Sequence, residues 1–449
     1  MSPSQAVDLI DDVLYGVYNH IWIWDLIKLR LVSKRWDATI REHPYYWKDL
    51  VVKVTTPSAI DSFVTRLAAS HRRPVEIYAE FGELQDAGPS PDQHGVVYDA
   101  LTSHMDHIAS LTLSGTADYA SQIFAVLSHA APVLETLCIA FRLRHDNLKP
   151  HSLESLAPLT LPSDLLSGDS PVLRDVKLVD VMLGGQRLRC FANATKVSIT
   201  NYHRVHHELP FLPTWFPRST VLEIGGDVTC KNGERDASRS WNAIEHLILR
   251  DEAAEWHAVS LGGPGRQVTY YEWYYNVLEN VQQRLIGPLT LVVDATDLRW
   301  MQADLKSTVD GCTRSFRHQS RTWWEVRGVF YDMRSVFAYA PLMERVIFLV
   351  CSQRLLDRIA HLFAPMTALE TLVVTFHDFD PFAYFHDGAG VRDSTVQKAR
   401  LVCPRLERLV IRWDAAKLSG STEDVARVIV EGLECSAFPS VTVEGLEDM

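Results

Sequence analysis

The chain has 449 residues, 47% of them hydrophobic and 22% charged, a balance that suits a large buried core and excludes a disordered polymer. Lys and Arg number 44 against 56 Asp and Glu, a formal charge of −12, which excludes a basic nucleic-acid footprint as the purpose of the whole protein. Seven scattered cysteines form no CxxC, the pattern of reduced thiols in the cytoplasm or nucleus rather than of a disulfide framework or a zinc site.

The opening MSPSQAVDLIDD has no basic and then apolar run, so no signal peptide is expected. Nor do about 18 apolar residues run together anywhere, so no membrane span is expected. At one domain per roughly 150 residues the length allows two or three units, unless the chain is a repeat array.

Residues 7–50 read VDLIDDVLYGVYNHIWIWDLIKLRLVSKRWDATIREHPYYWKDL. Val13, Leu14, Val17 and Ile21 predict one apolar stripe of a helix, with Asp11 and Asp12 in the first turn where negative charge complements the helix dipole. Leu26, Leu29 and Val32 predict a second stripe. A segment this short holds little core of its own, so surplus apolar surface is expected to remain for a partner.

The segment resembles an F-box. The resemblance rests on Leu9, Asp11, Asp12, Val13, Leu14, Val17, Asp25, Leu26, Leu29, Val32, Lys34, Arg35, Trp36 and Trp47, in order and spacing. Ile10 stands where the family has proline. The resemblance implies a three-helix module over 1–50 that binds the Skp adaptor and, through it, a cullin-RING ubiquitin ligase. The adaptor-facing set it implies is Leu9, Ile10, Leu14, Leu26, Leu29 and Val32, with Trp36 either in contact or in internal packing. Trp47 is expected to pin the last helix against the first strand of the array.

From about residue 50 a short apolar pattern returns: DLVVKV (49–54), PVEIYAEF (74–81), IASLTL (108–113), LETLCI (134–139), LRDVKL (173–178), KVSI (196–199), STVLEI (219–224), IEHLIL (244–249), GPLTLVV (287–293), ERVIFLV (344–350), LETLVV (369–374), LERLVI (406–411) and SVTV (440–443). The alternation predicts short half-buried strands. Helical spacing and a proline precede several, as in IFAVLSHAAP (123–132), LLDRIAHLFAP (355–365) and VQKARLVCP (396–404). Steps from Leu111 to Leu137, Val197 to Leu222 and Leu222 to Leu247 are 26, 25 and 25 residues, within the range of leucine-rich repeats.

The expected fold class is thus α + α/β: the small F-box, then over 51–449 an irregular leucine-rich-repeat-like α/β solenoid. Its strands would be parallel and concave, its helices convex, with insertions around 250–340. The asparagine of well-formed leucine-rich repeats is mostly missing.

Residues alternating with the buried ones are small or neutral in early repeats (Ser110, Thr112, Ser114, Thr136, Cys138). Later they turn basic: His246, Arg250, Arg345, Arg408 and Arg412. Such a stripe suits an acidic or phosphorylated segment of a target, unless the arginines pair with local carboxylates such as Asp251 and Asp414.

HRVHHEL (203–209) lacks the spacing of a metal site, GGPGRQ (262–267) lacks the Lys-[Ser/Thr] of a phosphate loop, and HDFDPFAYFHDG (377–388) pairs no nucleophile with a base; each reads better as a loop. YYEWYYNV (270–277) reads as packing of the helix before a strand, or else as a binding patch.

No catalytic constellation, cofactor or metal is expected, and no contact with nucleic acid or membrane. The expectation is a substrate-receptor subunit of an SCF-type ubiquitin ligase, cytoplasmic or nuclear. The alternatives are an F-box and repeat scaffold in a non-degradative complex, or a hydrolase-like α/β enzyme.

Overall fold

The computed structural model describes residues 11–21, 23–82, 91–142, 159–184, 187–201, 212–226, 243–250, 267–271, 275–297, 300–319, 333–352, 355–356, 359–376, 400–413 and 422–445. They group into two compact units, 1–220 and 221–449, each a mixed α/β body built on a mostly parallel sheet.

The first unit opens with four short helices, α1 (Asp11–Tyr18), α2 (Ile23–Leu29), α3 (Lys34–Glu42) and α4 (Pro44–Lys48). Local chemistry sets the breaks between them. Ser33 caps α3, its Oγ accepting from Trp36 N–H at 3.2 Å. The His43 ring nitrogen Nδ1 accepts from Tyr45 N–H at 3.3 Å, and Pro44 occupies the first turn of α4, where its missing N–H costs nothing.

Six parallel strands follow among the described residues: β1 (Asp49–Lys53), β2 (Val75–Phe81), β3 (Ile108–Thr116), β4 (Thr136–Arg142), β5 (Asp175–Val179) and β6 (Lys196–Asn201), neighbours in chain order. Their register stacks the centres of the repeated pattern, Leu50 on Ile77, then Leu111, Leu137, Val176 and Val197. Each is buried on the face that helices α5 (Pro57–Ala68), α6 (Pro91–His104) and α7 (Ala120–Val126) help to cover. Burying one such side chain contributes about 1.5–3 kcal/mol, so a column of them fixes the register.

In the second unit the sheet order is β7 (Val221–Gly226), β8 (His246–Arg250), β9 (Gln267–Tyr271), β12 (Thr313–Gln319), β11 (Trp300–Ser307), β10 (Leu289–Asp297), β13 (Val346–Ser352), β14 (Thr371–Phe376), β16 (Arg408–Trp413) and β18 (Ser440–Gly445). Only β11 runs against the rest. The stretch expected as an insertion is in part a three-stranded meander built into the sheet. Its β11–β12 turn contains Asp310-Gly311, with Gly311 at φ 72°, a hairpin signature.

Two expected helical stretches differ. Leu401–Val402 is a short strand, β15, paired with β17 (Leu433–Glu434). Tyr270 and Tyr271 end β9, where Tyr270 stacks on Phe316 at 5.3 Å on the apolar face and Tyr271 projects from the other. A strand places adjacent tyrosines on opposite faces, which a helix does not.

Candidate functional site

The N-terminal helices enclose a core of Leu14, Tyr18, Leu26, Ile40 and Tyr46. Tyr18 is fully buried, and its hydroxyl is satisfied by Thr39 Oγ1 at 3.0 Å. Trp36, half-buried, packs edge-on to Tyr18 at 5.9 Å. Arg30 ties the helices together, with Nε to Asp37 Oδ1 at 2.5 Å and a terminal nitrogen to the Tyr46 hydroxyl at 2.6 Å. The Arg30 and Arg41 guanidinium groups hold the Asp37 carboxyl below the usual carboxylate range. Trp47 donates to the Arg41 carbonyl at 2.5 Å, joining α4 to α3 just before β1 begins.

The residues of the expected adaptor-facing set differ in where the structure places them. Leu14 and Leu26 point inward, 2% and 0% exposed, because they and Tyr18 are what the module has to bury. Leu29 is half-buried against the same core. The apolar side chains left outside are Val13 and Val17, one turn apart on α1, and Leu31 and Val32 after α2, with Leu31 88% exposed. Leu9 and Ile10 lie outside the described residues.

The expected basic stripe separates into individual contacts. His246 and Arg250 alternate with buried Leu247 and Leu249, and Arg408 and Arg412 with buried Leu409 and Ile411, as the spacing predicts. Six strands stand between β8 and β16, so these pairs are about 34 Å apart at the usual strand spacing. They cannot grip one short segment together.

Arg250 is paired with Glu223, and its guanidinium lies 4.1 Å from the Tyr271 ring centre. Arg412 is paired with Glu444 at 2.8 Å, and Arg408 donates to Thr371 Oγ1 at 3.0 Å. The carboxylates are those of neighbouring strands; Asp251 and Asp414 lie outside the described residues.

Arg345 is not on the strand face at all. It precedes β13 and donates to the carbonyl of Gln282 in the last turn of the helix Tyr275–Arg284 and to those of Leu285 and Gly287 just beyond it, a helix-end cap. His246 donates to or accepts from Thr269 Oγ1 at 2.9 Å; burial first, then the nearby Arg317 cation, holds its imidazole below the ordinary histidine range against an opposing pull from Glu223.

A polar cluster that the sequence pattern did not single out lies on the same face, on β9, β12 and β11. It comprises Tyr271, Arg317, Ser315, Gln302 and Asp304. The alternation in TRSFRHQ (313–319) and WMQADLKS (300–307), with Phe316, Met301, Ala303 and Leu305 buried, was the available signal.

Among the described residues no group of three or more His, Cys, Asp or Glu is placed to hold a metal ion, and no helix is long and apolar enough to cross a membrane. The stretches 203–209, 262–266 and 377–388 lie outside the described residues. No protein-family model matches the chain, and no curated protein matches it in sequence.

Proposed function

We propose that this chain is an F-box protein with a leucine-rich-repeat-like array, acting as the substrate receptor of an SCF-type ubiquitin ligase in the cytoplasm or nucleus. It performs no bond chemistry and supplies proximity between target and ligase. The Skp adaptor docks on the N-terminal helices, and the strand-bearing region selects the target.

The observation that carries this reading is a helical core with apolar side chains left over. Leu14, Tyr18, Leu26, Ile40 and Tyr46 are enclosed, while Val13, Val17, Leu31 and Val32 stand in solvent. Exposed apolar surface of that kind is what a protein partner covers. The parallel strands with their in-register apolar columns support the repeat-array half of the reading.

The test is co-purification with the Skp adaptor, comparing the natural chain with a Val17→Asp/Leu31→Asp double variant. Capture of the natural chain and loss in the variant is the expected result. Absence of capture by the natural chain overturns the receptor reading.

A further inference from the structure

Cys403 and Cys435 meet at the small ladder of β15 and β17. These strands pair Leu401 with Leu433 and Val402 with Glu434, so the next step of the register sets Cys403 beside Cys435. The Cys403 N–H donates to the Glu434 carbonyl at 3.0 Å, which extends the ladder to that step. Neighbouring strands stand about 4.8 Å apart, inside the Cα separation that a disulfide spans, and residues in register point to the same face. Both thiols are free, with their sulfurs 3.5 Å apart. Closing a bond needs an approach of about 1.5 Å, within reach of side-chain rotation and without a slip of the strands.

The two cysteines differ in access. Cys403 is fully buried, whereas Cys435 is half-buried and meets solvent. Burial raises both thiols, but at Cys435 the hydrogen bond with Cys403 pulls the other way, while at Cys403 the neighbouring sulfur adds to the rise. Cys435 is therefore the sulfur that ionises first and the one that a small reagent reaches, with Cys403 waiting behind it.

We infer that Cys435 and Cys403 are an oxidation site that a hydroperoxide converts to a disulfide between β15 and β17. The Cys435 thiolate attacks the terminal peroxide oxygen. An S–O bond forms, the O–O bond breaks, and the other oxygen leaves as water or an alcohol with the proton that Cys435 released. The Cys403 sulfur then attacks the sulfenic sulfur of Cys435. The S–S bond forms, the S–O bond breaks, and the hydroxyl leaves as water with the Cys403 proton. Two thiols give up two electrons and the peroxide takes both. The bridge closes a loop over 403–435 that holds β16 and the helix Thr422–Glu431. It fastens a ladder that otherwise rests on two strand residues a side. Because both thiols are raised, closure is slow at neutral pH and quickens as pH rises, which suits a response to sustained oxidation rather than peroxide turnover.

The full chain, reduced with dithiothreitol and freed of it, is treated with hydrogen peroxide, blocked with iodoacetamide and digested. Trypsin puts the two cysteines on separate peptides, 401–405 and 428–449, so a bridge appears in the mass spectrum as their linked pair. Expected is that linked pair, returned to two thiols by dithiothreitol, and a thermal midpoint higher in the bridged chain by about 5 °C or more. In Cys403→Ser, dimedone should trap a sulfenic acid on Cys435; in Cys435→Ser, Cys403 should stay a thiol. The linked pair is read on the natural chain, so a variant that fails to fold does not decide the matter. Peroxide treatment that leaves 401–405 and 428–449 unlinked overturns the proposal, as does Cys435 carried on to sulfinic acid with Cys403 still a thiol. Linkage by glutathione disulfide but not by peroxide overturns the hydroperoxide step. Equal midpoints of bridged and reduced chains overturn the fastening of the ladder.

Discussion

Arg345 donates to the carbonyl of Gly287, 58 residues earlier, through Nε at 3.0 Å and a terminal nitrogen at 2.8 Å. Gly287 sits at φ 71°, in the left-handed region, and a Cβ there would stand 2.5 Å from Val309 Cγ2. One residue therefore joins a helix end, a turn and the strand β13.

Arg345→Met should lower stability by about 2 kcal/mol or more, because several carbonyls lose a charged donor. Arg345→Lys should recover little, since a single ammonium cannot reproduce the planar fork. Gly287→Ala should cost about 1–2 kcal/mol for the backbone alone, with the Val309 contact added. Urea unfolding midpoints of the three variants check this; an Arg345→Met midpoint equal to that of the natural chain would contradict the cap.

The inward and outward positions of the helical module make opposite predictions. Leu14→Ala or Leu26→Ala should cost about 2–5 kcal/mol, as for other fully buried leucines. Val17→Asp and Val32→Asp should change stability by no more than about 0.5 kcal/mol, as surface substitutions do. Differential scanning calorimetry of the four variants separates the two classes, and a destabilised Val32→Asp would show that the side chain is not in solvent.

Burial holds His43, His94, His104 and His246 below the ordinary histidine value of 6.5. As pH falls through about 6.5 the unfolded chain takes up these protons before the folded one, so stability is full above that pH and declines below it. His94 is the clearest case: it is buried, its Nε2 has no partner, and its ring lies 5.0 Å from Tyr119. His94→Phe should therefore flatten the decline in melting temperature between pH 7.5 and 5.5. An unaltered slope would mean that His94 is not among the groups responsible.

Cys403 and Cys435 face each other across β15 and β17 with sulfurs 3.5 Å apart, and burial first raises both thiols above the ordinary cysteine value. Burial raises Cys190 likewise. Thiolates are the reactive form, so Cys190 and Cys403 should alkylate with iodoacetamide at pH 8 far more slowly in the folded chain than in urea. Mass spectrometry of timed digests reads the rates; equal labelling in both conditions would contradict their burial.

The strands were legible because a period of two needs only local alternation. IASLTL and LETLCI became paired strands with Leu111 on Leu137, and LETLVV and LERLVI did likewise with Leu372 on Leu409. Sidedness in the helices was harder to read. Val13 and Leu14 are adjacent, about 100° apart around α1, and composition does not say which one turns inward; Tyr18, whose hydroxyl finds Thr39, decides it. Charge partners were hidden for a different reason. Glu223 and Glu444 reach Arg250 and Arg412 from neighbouring strands, 27 and 32 residues away, so only strand pairing reveals them. Arg317 and Asp304 were obscured by an antiparallel hairpin inside a parallel series, where the expected repeat interval no longer applies.

That hairpin has a consequence for shortening the chain. Strands β12 and β10 run the same way as β9 and β13, the neighbours they touch, and only β11 between them is reversed. Excising residues 289–319 would leave β9 and β13 with matching directions, the helix Tyr275–Arg284 serving as their crossover. A trimmed protein of that kind would keep its parallel ladder while losing Arg317, Ser315 and Asp304 together. The parallel ladder and this polar cluster are thereby separable in this unit by one deletion.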